Sequence, residues 1–108
     1  MARKLPPLHL IHIFEASARH QSFKLASEEL FLSPSAISHQ IKSLEKYLGF
    51  NLFFRKSRKV ELNPAGKMFL GYVQQSLQIL DQGTSQTINR FSNAVTRHVN
   101  RSGFNRVY

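Results

Sequence analysis

Pro34, Ser35, Ser38 and His39 place short or hydrogen-bonding side chains at one end of a helix, where they can read the edges of DNA bases. A serine hydroxyl donates or accepts with little discrimination, and an imidazole can reach guanine. Ser33 immediately precedes Pro34, so a serine caps the helix and proline takes its first position, where the missing N–H has no partner to lose. The free amides of that first turn and the helix dipole favour phosphate. Ser22 and Lys24, at the start of the preceding helix, join Ser33 and Lys42 as candidates for the DNA backbone. Arg55, Arg58 and Lys59 lie in the basic run RKSRK and are wing candidates for DNA, with Arg58 and Lys59 for the groove and Arg55 for phosphate or a structural role. Other chemistry finds little support. His9 and His12 are three residues apart, but no cysteine or nearby carboxylate completes a ligand set, so neither a metal nor a cofactor is expected. Ser38 and His39 are helix neighbours and point in different directions, and no paired carboxylates or phosphate loop are present. An enzyme is therefore not expected.

These residues need elements to position them. A first helix is predicted from Pro7 to about Arg19, burying Leu8, Ile11, Phe14 and Ala18 at helical spacing. Ser22 caps a short second helix, Phe23 to Leu30, with Phe23, Ala26 and Leu30 inward and Lys24, Ser27 and Glu28 outward. The third helix carries the apolar stripe Ile37, Ile41, Leu44 and Leu48 and ends at Gly49, which permits a left-handed cap. Its opposite face holds Ser35, Ser38, His39 and Lys42. Leu52-Phe53-Phe54 and Val60-Glu61-Leu62 are predicted as two short strands around the basic tip, a β-hairpin wing without an Asn-Gly or Asp-Gly turn. Asn63-Pro64 opens a long fourth helix, weakened near Gly83 and Thr84, with Phe69, Val73, Leu77, Leu80, Ile88 and Phe91 in a near-heptad stripe. A small domain cannot bury so long a stripe, so it is expected to pack on a second copy of the chain, with Phe69, Val73, Leu77, Leu80 and Ile88 as the dimerising residues.

The expected fold is mostly α: a winged helix-turn-helix with a three-helix core and a β-hairpin wing over residues 1–63, then a linker helix over 64–92 that dimerises. An irregular tail is expected over 93–108. The composition fits. The 108 residues hold 15 Lys+Arg against 6 Asp+Glu, a net charge of +9, which favours a polyanionic partner. There is no cysteine, so disulfides are excluded. No apolar run approaches the length of a membrane span and no secretory leader is evident, so a soluble, cytoplasmic, nucleoid-associated protein is expected. Charge alone would equally suit a non-specific or architectural nucleic-acid binder, and the fourth helix alone would suit a protein-interaction module.

The run from Pro6 to Gly66 resembles the N-terminal domain of LysR-type transcriptional regulators. Ala26, Glu29 and Leu30 fit that family's second helix, while Ser33, Ala36, Ser38, Gln40, Ile41, Leu44 and Glu45 fit its recognition helix. Leu48-Gly49, Leu52-Phe53, Arg55, Leu62 and Pro64-Ala65-Gly66 fit its wing and the start of its linker helix. The Ser38-His39-Gln40-Ile41 step and the Leu5-Pro6-Pro7-Leu8 opening are similar to the branch containing glycine-cleavage and β-lactamase regulators. The resemblance implies double-stranded promoter or operator DNA as partner, bound as a homodimer at an inverted repeat, with base reading by Pro34, Ser35, Ser38 and His39. Pro34-Ser35 departs from the Gln-Pro common in the family and removes an adenine-reading glutamine. Members sense small molecules through a further domain after the linker helix. No effector site is therefore expected within these 108 residues, and a higher oligomer is expected only with that domain.

Overall fold

The computed structural model describes residues 4–55 and 59–96, with side chains described as far as residue 92. Four helices follow one another: α1 (Leu8–His20), α2 (Phe23–Leu30), α3 (Pro34–Leu48) and α4 (Pro64–Thr96). The first three pack against one another pairwise.

Local chemistry sets their ends. The Ser22 side chain accepts the Leu25 N–H at 3.0 Å and starts α2 from an extended backbone. Ser33 does the same for α3, accepting from Ala36 at 3.1 Å with Pro34 in the first turn. Gly49, at φ +93°, closes α3, and its N–H donates to the Glu45 carbonyl at 2.8 Å. Two helix ends take the left-handed conformation without glycine: Gln21 after α1 and Phe31 after α2. Phe31 is the costlier, because a bulky side chain at φ +59° crowds the following carbonyl.

The core is Leu10, Ile13, Phe14, Ala16 and Ala18 from α1, Ala26 from α2, Ile37, Ile41 and Leu44 from α3, and Leu52 and Phe53 after α3. Phenylalanine rings join the elements. Phe14 meets Phe53 at 5.7 Å and Phe69 at 5.3 Å between centroids, and Phe53 meets Phe23 edge-on at 5.9 Å. Two sequence expectations shift here. Leu8 is exposed, and Leu10 and Ile13 take the inward positions on α1. Apolar residues at 8, 10, 11, 13 and 14 offer two overlapping stripes, and packing selects the second. Ser27, expected outside, is buried, with its hydroxyl donating to the Lys24 carbonyl at 2.6 Å, so the close α1–α2 approach is met by a small self-satisfied side chain.

The expected wing is pared down. Among the described residues there is no β-strand, only an antiparallel bridge between Phe53 and Leu62. The Phe54 N–H donates to the Glu61 carbonyl at 2.9 Å and the Asn63 N–H to the Leu52 carbonyl at 3.0 Å, which closes the base of the loop. Without a two-residue turn to fix register, the ladder does not propagate.

Asn63 starts α4 with both ends of its amide. Its Oδ1 accepts the Gly66 N–H and its Nδ2 donates to the Asn51 carbonyl, both at 2.8 Å. A Cβ at Gly66 would strike the Leu52 carbonyl oxygen and lie 2.8 Å from a Leu62 methyl, so only glycine allows this close approach. The helix then runs to Thr96 and passes Gly83 and Thr84 without a break, longer than the sequence suggested. The compact body extends through Gln74, not only to residue 63, and residues from Gln75 form a second unit.

Candidate nucleic-acid interface

The four positions expected to read bases share one end of α3. Pro34, Ser35 and His39 are exposed and Ser38 is half-buried. The buried Ile37, Ile41 and Leu44 on the other side hold the helix to α1 and α2, which leaves the polar face outward. The hydroxyls of Ser33 and Ser35 lie 3.2 Å apart, so the first turn presents a linked pair rather than two independent groups. Ser22 and Ser33 both spend an acceptor lone pair on capping and keep their hydroxyl protons to donate. Lys24 and Lys42 are exposed on α2 and α3.

For Arg55 the sequence left a phosphate contact and a structural role open. Its Nη2 is bound to the Glu45 carboxylate and lies 3.3 Å from Asn51 Oδ1. Glu45 is only 5% exposed and also accepts the Leu52 N–H at 2.7 Å. A buried carboxylate must be paired, and Arg55 meets that need, so its first role is to tie α3 to the following loop. The sequence pattern alone does not reveal that link, because the partners lie seven and ten residues further along. One signal was available: Glu45 interrupts the inward run Ile41, Leu44, Leu48 at an inward phase. Lys59 is exposed, and Arg58 lies outside the described residues.

The proposed dimer stripe also divides. Val73 is 3% exposed, and Phe69 packs on Phe14 of the core, so both are engaged within the chain's own compact body. An inward turn at the start of α4 explains this: Gly66 brings the helix against Leu52 and Leu62. Leu77 is half-buried, whereas Leu80, Ile88 and Phe91 are exposed, together with Ile79, which the stripe left out.

An ion-pair cluster braces the other side of the helix-turn-helix. Arg19 on α1 donates from Nε to Glu15 at 2.9 Å and from Nη2 to Glu29 on α2 at 2.8 Å. His20 Nε2 lies 2.7 Å from the same Glu29 carboxylate. Hydrogen bonds from Arg19, then from His20, hold the Glu29 carboxyl down at about 2, while Glu15 and Glu29 hold the Arg19 guanidinium above its ordinary value. Among the described residues, no group of three or more potential metal ligands comes together, and no helix is long and apolar enough to cross a membrane.

Three packed helices, a doubly capped third helix with an outward polar face and a clasped basic loop define a winged helix-turn-helix domain. The family described as bacterial regulatory helix-turn-helix protein, lysR family, matches residues 8–67, and the chain belongs to it. Among relatives, the glycine cleavage system transcriptional activator of Escherichia coli is 43% identical over 84 residues, covering 78% of this chain and 28% of its own. The HTH-type transcriptional regulator DsdC of Escherichia coli is 55% identical over 75 residues, covering 69% of this chain and 24% of its own. The chain thus spans about a quarter of the length of these relatives. Among solved structures, the BenM DNA-binding domain in complex with benA site 1 DNA superposes with a TM-score of 0.74 at 34% identity, covering 78% of this chain and 94% of that one. The CbnR DNA-binding domain in complex with DNA gives 0.70 at 26% identity, covering 79% and 98%.

Proposed function

We propose that this chain binds double-stranded DNA sequence-specifically as the DNA-binding part of a LysR-type transcriptional regulator in the bacterial cytoplasm. The observation that carries the reading is the outward end of α3, where Pro34, Ser35, Ser38 and His39 stand clear of the core that holds the helix. That end would enter the major groove, with Ser22, Lys24, Ser33 and Lys42 on phosphates and Arg58 and Lys59 in the wing. Solved relatives at 34% and 26% identity hold DNA, which supports the reading.

The chain would act as a homodimer joined through α4. Exposed Leu80, Ile88 and Phe91 recur at i, i+8 and i+11 and give that helix an apolar face that no other described residue of its own unit covers. These three remain from the expected stripe, Leu77 lies at its edge, and Phe69 and Val73 support the body.

Binding-site selection followed by footprinting tests both parts. The expected result is an inverted repeat, preferred about 10³-fold or more over random DNA. Replacing Ser38 and His39 by alanine should weaken specific binding by about 1–3 kcal/mol per lost base contact. A net charge of +9 alone would give salt-sensitive binding with no preferred site, and that outcome would replace this reading with a non-specific binder.

A further inference from the structure

An open groove of about 530 Å³ lies beside the C-terminal half of α3, lined by Lys42, Glu45, Lys46, Phe50, Asn51 and Arg55. Its charge arrangement is unusual. Glu45 is buried, and its oxygens are taken by the Leu52 N–H and by Arg55 Nη2. That pairing immobilises the guanidinium, because Asn51 holds the same Nη2 from the other side at 3.3 Å. Arg55 Nε and Nη1, which donate in different directions, have no partner among the described residues, and the side chain is 44% exposed. Lys42 and Lys46, one turn apart on α3, also lack an ion-pair partner among the described residues. Lys46 lies in the last turn, where it complements the helix dipole; Lys42, a turn earlier, gains nothing from that effect. Two ammonium groups and the open donors of a held guanidinium around one groove match the charge and the acceptor oxygens of a phosphate group.

We propose that this groove is a clamp for a DNA phosphodiester, separate from the base-reading end of α3, in which Lys42 and Lys46 carry charge and Glu45 orients Arg55. The proposal rests on the DNA-binding reading above. It gives Arg55 a second task beside its structural one. Ser35, His39, Lys42 and Lys46 follow one another at i, i+4, i+7 and i+11, a single stripe about 16 Å long. A helix whose start lies in the major groove brings the far end of such a stripe to the sugar-phosphate rim, where a clamp fixes the depth and tilt of insertion.

The test uses the whole chain, the selected duplex and a random duplex, with affinity measured over a range of salt. The Lys42→Gln/Lys46→Gln double variant alters two exposed side chains and leaves the core intact. Its log-affinity against log-salt slope is expected to be shallower by about two, with the preference for the selected over the random duplex kept within about threefold. Arg55→Lys keeps the charge but loses the Nε and Nη1 donors, so its slope should stay unchanged while affinity for both duplexes falls about tenfold. Methylphosphonate placed at single positions along the duplex locates the phosphate: one neutralised position should weaken the wild type clearly more than the double variant, which keeps only Arg55 there. A double variant that binds the selected duplex with the wild-type slope would overturn the clamp while leaving DNA recognition standing. If the wild type binds neither duplex, both readings fall. Loss of affinity for free inorganic phosphate, without any change on DNA, would also overturn the proposal.

Discussion

The three-helix body and the outer part of α4 are made of similar residues arranged to opposite ends. In the body, Phe14, Ile37, Ile41, Leu44 and Leu52 are fully buried, and every helix end except the start of α1 at Pro7 is closed by a serine, a left-handed residue or an asparagine. Beyond Gln75, Ile79, Leu80, Ile88 and Phe91 are exposed. A helix held only by its own hydrogen bonds draws little stability from propensity, and most comes from packing its apolar face. The comparison teaches that the body completes its packing within one chain, whereas the outer helix leaves apolar side chains exposed, as the proposed dimer requires.

The largest break in that comparison comes from the body. Phe14→Ala removes the ring that meets both Phe53 and Phe69 and should cost about 3–5 kcal/mol in urea denaturation. By contrast, Leu80→Asp should leave the thermal stability of the body nearly unchanged and convert the dimer to monomer in sedimentation at tens of micromolar. A strictly monomeric wild type under the same conditions would end the account of the outer helix. Gly66→Ala is intermediate, because its Cβ must displace backbone rather than a side-chain tip. A loss of about 1–3 kcal/mol in denaturation is expected, and wild-type stability would show that the α4 start moves freely. Phe31→Gly should act in the opposite direction. Phe31 is 93% exposed at φ +59°, so glycine relieves strain without losing packing, and the melting temperature should rise by the equivalent of about 1 kcal/mol.

The smallest effect concerns the α1–α2 brace. The Glu29 carboxyl is held at about 2, below the ordinary value of 4.5, so its contribution is complete above 4.5 and is lost as pH falls toward 2. Glu29→Gln should lower stability above pH 4.5, converge with the wild type as pH falls toward 2, and so flatten the acid limb of the stability–pH curve in that window. An unaltered acid limb would show that the Arg19 contacts add nothing in solution, which is common for exposed pairs.

Much of the reading head was legible in the sequence because its signals are local. Ser22, Ser33-Pro34 and Gly49 mark boundaries by their own backbone chemistry, and the limits of α2 and α3 follow from them. The inward stripe Ile37, Ile41 and Leu44 was equally plain, since no competing apolar phase exists on that helix. What was hidden depends on partners distant in sequence. The burial of Glu45 is understood only with Leu52 and Arg55 in place. Val73 and Phe69 fit a heptad as well as they fit a core, and only the contact made through Gly66 decides between them. The wing strands were read from β-branched and aromatic composition, but so short a ladder lacks the turn that would extend it.

The clasp at Phe53 and Leu62 has a consequence for how such a domain diversifies. Its hydrogen bonds and the Phe53 ring contacts close the loop at its root, and Arg55 adds the tie to Glu45, so these contacts would remain in place if the chain between Arg55 and Lys59 were lengthened or exchanged. Lengthening a closed loop twofold costs only about 0.6 kcal/mol in chain entropy. The tip is therefore a module on which selection can act independently. A lineage can lengthen it, recharge it or exchange it for another family member's and obtain new operator preferences without first having to rescue the core.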